Sequence, residues 1–279
     1  MKFAQSSAVF FNHSLQYAIR SLAALGYNGI EIWGGRPHMY QQDLQDQRAE
    51  IINLLHELNM KVCNFIPAQF RYPSILCSLN EKVRTSSVEY IKIAIDNAVS
   101  IEAPSVSLCP GMALFDTDCS SGWRQLLRSL KEIEEYNTGK GLKLLIEPAH
   151  KFESNLILTV DDCLRMLDEL HSNSFGILID TGHAFINSEN FGEIFGKCKG
   201  LPLHIHIDDN NGDFDSHMIS GKGRIDFDSV FEALRDIGYE GFVSAELGPA
   251  YCMEPVVACE QSIEFLCSKV IKQVGDIKP

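Results

Sequence analysis

Four ionisable residues stand at the ends of short apolar runs in the second half of the chain. LKLLIE (142–147) ends in Glu147, FGILID (175–180) ends in Asp180, PLHIHI (202–207) carries His206 as its penultimate residue, and FVSAE (242–246) ends in Glu246. One carboxylate in such a place has an ordinary use, because it can accept hydrogen bonds from the free N–H groups of a following helix. Four such groups in register are different: brought to one centre, three carboxylates repel one another and call for a cation between them. Three carboxylates and one imidazole form a hard-donor set for one divalent metal ion. The set favours Mn²⁺, Mg²⁺ or Co²⁺ over the thiolate sites of structural zinc, with manganese the expected ion and zinc or nickel within its range.

A closed barrel would bring these four together. Apolar runs at 2–10, 29–33, 61–66, 104–109, 142–147, 175–180, 202–207 and 242–246 read as strands. Between them lie segments of helical period, such as 46–59, 85–100, 122–137 and 159–170. Thr159 and Asp226 supply N-caps, and the run after Asp226 stops at Gly238. Eight strand-then-helix units in about 250 residues predict an α/β chain folded as a single (β/α)8 TIM barrel, where the carboxyl ends of the strands carry the chemistry. The alternative, an open doubly wound sheet, lacks its GxGxxG turn after the first strand. No composition shift marks a linker, so one domain is expected over residues 1–279.

Composition narrows the partners. With 37 acidic and 24 basic residues the formal net charge is −13, a field that repels nucleic acid. Nine cysteines, an odd number without a CxxC pair, predict reduced thiols in a cytoplasmic protein. The N-terminus reads as too polar for a signal peptide, and no apolar run has the length of a membrane span.

The segments GYNGIEIWGGRPH (26–38), LLIEPAHKFESN (144–155), IDTGH (179–183), HIHIDDNNGDFDSHMISGKGRIDF (204–227) and GYEGFVSAELG (238–248) carry a resemblance over nearly the whole chain. It is to the xylose isomerase-like barrels of sugar isomerases, 3-epimerases and endonuclease IV. GIEIWGGRPH and EP followed by ESN look most like the fructoselysine 3-epimerases, and the remainder is also similar to the D-tagatose and D-psicose 3-epimerases. The resemblance implies metal ligation by Glu147, Asp180, His206 and Glu246, the set reached above from strand ends. It further implies paired acid–base roles for Glu147 and Glu246 on either side of an enediolate, substrate contacts by His183 and Glu153, and a dimer or tetramer. The arginine that many ketose 3-epimerases place six residues after the metal histidine is Gly212 here.

Other residues carry weaker signals. Strand alternation puts His204 on the same face as His206, one layer deeper, as a hydrogen-bonded interior residue. Trp33, at the end of the second strand, is placed to stack on substrate or plug the barrel mouth, and Arg36 and His38 read as loop or interface residues. Asp215 and His217 repeat a DxH spacing of endonuclease IV, but the regions NFIPAQ and SLCPG lack the histidines of its cluster; His217 reads instead as a substrate or loop-ordering residue. GKG (221–223) has the look of a phosphate turn. His150 is a candidate for tuning substrate choice, whereas His13, His56 and His171 read as surface or helix-end residues. The leading expectation is an isomerase that epimerises a ketose or fructoselysine-like ketosamine at C3. An aldose–ketose or inosose isomerase or dehydratase, a silent sugar-binding barrel and a DNA phosphodiesterase are the alternatives.

Overall fold

The computed structural model describes residues 1–69 and 74–271. Eight parallel strands close a barrel in chain order: β1 (Lys2–Ser6), β2 (Gly29–Gly34), β3 (Lys61–Pro67), β4 (Ser105–Leu108), β5 (Lys143–Ile146), β6 (Phe175–Asp180), β7 (Leu203–Ile207) and β8 (Phe242–Ala245), with β8 returning to β1. The connecting helices are α1 (Leu15–Ala24), α2 (Arg48–Glu57), α3 (Glu81–Ser100), α4 (Cys119–Asn137), α5 (Val160–Leu170), α6 (Thr181–Ile186), α7 (Phe191–Lys197) and α8 (Phe227–Asp236), and α9 (Pro255–Ile271) follows the last strand.

Local chemistry explains most boundaries. Thr159 and Asp162 form a reciprocal capping box on α5, and the Asp226 carboxylate accepts from the N–H groups of Asp228 and Ser229 at the start of α8. Two helices begin earlier than their apolar period, because Asn80 and Asp118 cap them upstream. The first predicted strand is shorter than 2–10. Ser6 Oγ accepts from Ala8 N–H and turns Ser7–Phe10 into a 3-10 helix.

The outward residues of β7, Ile205 and Ile207, are fully buried beneath the helical layer. The interior is unusually polar. Glu31, Asn64, Ser105, Ser107, His204 and Ser244 are all buried there, where packing layers of branched aliphatic residues would be the rule. The β2–β3 register also slips by one residue: Ile30 lies opposite Val62, but Glu31 lies opposite Asn64, leaving Cys63 as the extra residue.

Candidate metal and active site

The four strand-end residues converge. Asp180 is the last residue of β6 and His206 the penultimate one of β7. Glu147 and Glu246 lie one residue past β5 and β8, still held by N–H donation to Leu108 O (3.1 Å) and Ile207 O (3.2 Å). One donor atom from each of the four lies within 4.8 Å of the others. His206 Nδ1 is 2.7 Å from Glu246 Oε2, 3.6 Å from Glu147 Oε1 and 3.8 Å from Asp180 Oδ2.

Asp180 divides its oxygens. Oδ1 accepts from His183 N–H at 2.8 Å and caps α6, the ordinary use of such a carboxylate, while Oδ2 points into the cluster without a hydrogen-bond partner. His206 Nδ1 also has no aligned partner, despite its short distance to Glu246. Buried polar atoms aimed at a common point without hydrogen-bond partners fit a divalent cation, and the donor set is the hard one described above. Burial pushes the Glu147 carboxyl pKa up, an effect that His206 and His183 partly offset. Burial opposes charge on His206 as well, but the carboxylates of Glu31 and Glu246 outweigh it and hold the imidazole pKa well above its ordinary value.

Glu31 was not singled out by the sequence analysis, yet it organises the interior. Its carboxylate accepts from His206 Nε2 at 2.9 Å, from Asn64 Nδ2 at 2.6 Å and from Ser244 Oγ at 3.1 Å. A carboxylate can only accept, so Nε2 carries a proton, and Nδ1 is the nitrogen turned to the cluster and available to a cation. The one available signal was an ionisable residue inside the apolar run GIEIW. His204 is buried as expected, but it is not hydrogen-bonded through Nε2, which stands 3.5 Å from Glu31 Oε1 outside bonding alignment.

A second group adjoins the first. Asp215 Oδ2 lies 3.2 Å from His150 Nε2, 3.2 Å from His183 Nε2 and 2.8 Å from His217 Nε2. Burial works against ionising Asp215, but the three imidazoles prevail and keep its pKa far below the carboxylate range. His183 also directs Nδ1 to Pro148 O (3.2 Å), and Glu153 approaches its Nε2 at 4.0 Å. His217 Nδ1 stands 3.2 Å from Asp208 Oδ2. Asp208 in turn accepts from Gly182 N–H at 2.9 Å, and a Cβ at Gly182 would meet its Oδ1 at 2.6 Å. Burial, then the charge of Asp180, push the Asp208 pKa up to about 7.

The GKG turn is not a free anion cradle. Asp209 occupies it, accepting from the N–H groups of Gly221 (2.9 Å), Gly223 (2.7 Å) and Ile225 (3.1 Å), and a Cβ at Gly223 would meet Asp209 Oδ1 at 2.4 Å. The phosphate reading fails because the protein's own carboxylate takes the donors. Trp33 shares the inward face of β2 with Glu31 and packs edge-on to His38. His38 lies in the loop after β2 and is fully buried there: its Nε2 faces His13 O at 3.2 Å and its Nδ1 faces Ser7 Oγ at 3.1 Å.

Residues 19–269 match the model of the xylose isomerase-like TIM-barrel family. The chain belongs to this family. The fructoselysine 3-epimerase of Shigella flexneri is 31% identical over 251 residues, covering 90% of this chain and 91% of that protein. A crystal structure of a D-tagatose 3-epimerase-like protein superposes with a TM-score of 0.80 at 27% identity, over 97% of this chain and 100% of that one. The IOLI protein, solved with a zinc atom, has a TM-score of 0.84 at 19% identity over 98% of this chain and 99% of that one, a likeness of fold. The family member described here is accordingly an enzyme of the isomerase class.

Proposed function

We propose that this barrel is a divalent-metal-dependent sugar 3-epimerase acting on a ketose or ketosamine in the cytoplasm, with manganese as its ion. The observation that carries the reading is the convergence of Glu147, Asp180, His206 and Glu246, two of them glutamates just past the ends of different strands. These four residues would hold the ion. When bound there, it supplies Lewis-acid polarisation of a carbonyl and the neighbouring hydroxyl.

Inverting a carbon beside a carbonyl requires removal of its proton from one face and delivery of a proton to the other. Glu147 and Glu246 take these two roles at C3, and they exchange them when the reaction runs backwards. His183 and Glu153 face substrate hydroxyls, with Asp215 fixing the His183 ring. Trp33 and His217 complete the walls around the sugar.

In ²H₂O, deuterium is expected at C3 of both substrate and product, and Glu246→Gln is expected to abolish its incorporation while the circular dichroism stays native. Exchange at C1 in place of C3 would make the chain an aldose–ketose isomerase and end the epimerase reading.

A further inference from the structure

The register of the barrel sets a thiol beside Glu147. Leu108 of β4 pairs with Ile146 of β5, so the next residues, Cys109 and Glu147, stand side by side one step past their strands. Both backbones are fixed there: Glu147 N–H donates to Leu108 O at 3.1 Å, and Cys109 N–H donates to the side-chain oxygen of Gln69 at 3.2 Å. The Cys109 thiol, half-buried and unoxidised, donates to Glu147 Oε2 across 4.0 Å.

This contact divides the oxygens of Glu147. Oε1 lies on the cluster side, 3.6 Å from His206 Nδ1 and 3.8 Å from His183 Nδ1, and His206 Nδ1 is the buried atom without a hydrogen-bond partner. Oε2 is turned to Cys109, which lines a cavity of about 210 Å³ together with Ala149 and Glu153. A cation beside a carboxylate oxygen favours its charged form and makes it a poor proton acceptor, so of the two oxygens the better base is the one turned from the cluster. A thiol suits the task of holding that oxygen. It is a weak donor that sets the direction of the carboxylate and leaves most of its basicity, which a guanidinium or several N–H groups would suppress.

We propose that Cys109 is a positioning residue for proton transfer: its S–H holds Glu147 so that Oε1 serves the metal and Oε2 serves the substrate. In the step itself the C3–H bond breaks, its proton passes to Oε2 and its electron pair to the neighbouring carbonyl, giving the enediolate; the reverse transfer returns a proton to that same face. The division of roles rests on the epimerase reading, whereas the thiol contact rests on strand register and the hydrogen bond.

Two measurements test it. Infrared difference spectra of the wild type against Cys109→Ser isolate the S–H stretch of this thiol from those of the other cysteines. Glu147→Gln and Glu147→Ala are each expected to move that band to higher wavenumber, because the carboxylate acceptor is gone; a band that stays in place overturns the contact. Kinetics are then read on the Mn²⁺-loaded enzyme with D-fructose and D-psicose, a pair of C3 epimers, each unlabelled or deuterated at C3. Cys109→Ala is expected to lower kcat roughly tenfold with KM and Mn²⁺ affinity within about twofold of the wild type, and Cys109→Ser, which keeps a donor, to recover part of the loss. Only the transition state in which Glu147 moves the proton is raised. The epimer that Glu147 deprotonates should therefore show a larger primary isotope effect in Cys109→Ala, while the other epimer should take up solvent deuterium at C3 faster than it is converted. Equal changes for both epimers, or a loss confined to Mn²⁺ affinity, overturn the positioning role. Absence of C3 exchange in the wild type ends the epimerase reading for free ketoses and leaves the band shift to decide the thiol contact.

Discussion

At the scale of single residues, the interior carboxylate Glu31 separates two kinds of contribution to the proposed metal site. It lies outside the four-residue cluster, yet it takes the Nε2 proton of His206 and so decides which nitrogen faces the cluster. Glu31→Gln keeps the shape and loses the charge. Removing such a partner typically costs 10–100-fold in metal affinity, so a loss of about that size is expected by competition with a fluorescent chelator, with the fold retained. An unchanged affinity would show that His206 needs no such support. The four converging residues were legible in the sequence because each ends or nearly ends an apolar run. Glu31 was not, since its partners sit on β3, β7 and β8 and only closure of the barrel brings them to it.

At the scale of elements, two loop fastenings lend themselves to measurement. Asp209 ties the segment bearing Asp215 and His217 to residues 221–225 through backbone donors. Asp209→Ala removes the acceptor of these three N–H groups and is expected to lower stability by roughly 1–3 kcal/mol in urea unfolding, with amide exchange rising first over 209–225. His38 clamps the end of β2 to the 3-10 helix after β1. Burial lowers its pKa to about 4, against an ordinary 6.5. Because the folded value is the lower one, the unfolded chain binds the extra proton between these pH values. Stability contributed by the neutral ring is therefore present above pH 6.5 and lost as pH falls toward 4, by about 3 kcal/mol in full. His38→Gln should lose less stability than the wild type between pH 7 and pH 4.5, and parallel pH slopes for the two proteins would remove the assignment. Helix caps could be read from residue type, but the GKG turn could not: its glycines advertise donors, and the sequence does not say that a residue twelve positions upstream has taken them.

At the scale of the whole molecule, the barrel was legible from the alternation of apolar runs with helical periods, because each run must bury itself against the next. The polar interior was not, since periodicity reports which side chains point inward and is silent about how they bond. The cluster draws on four successive strands, so a bound ion should hold a quarter-turn or more of the barrel together. A ligand at a hundred times its Kd that binds only the native state stabilises by about 2.7 kcal/mol, which for a chain of this size corresponds to roughly 5–10 °C in Tm. Chelator-treated protein should melt lower by that amount and recover on addition of Mn²⁺, whereas His206→Ala should be insensitive to either treatment. A Tm of the wild type that ignores both would exclude a site linked to folding.

The extra residue in β3 has a bearing on protein engineering. Glu31 meets Asn64 because Cys63 interrupts the ladder between β2 and β3. Transplanting the four converging side chains onto an ideal, unbroken eight-stranded scaffold would copy the proposed ligands and omit the main-chain offset that aligns their support. A designer who wants this centre to work elsewhere must copy an irregularity of the backbone along with the residues.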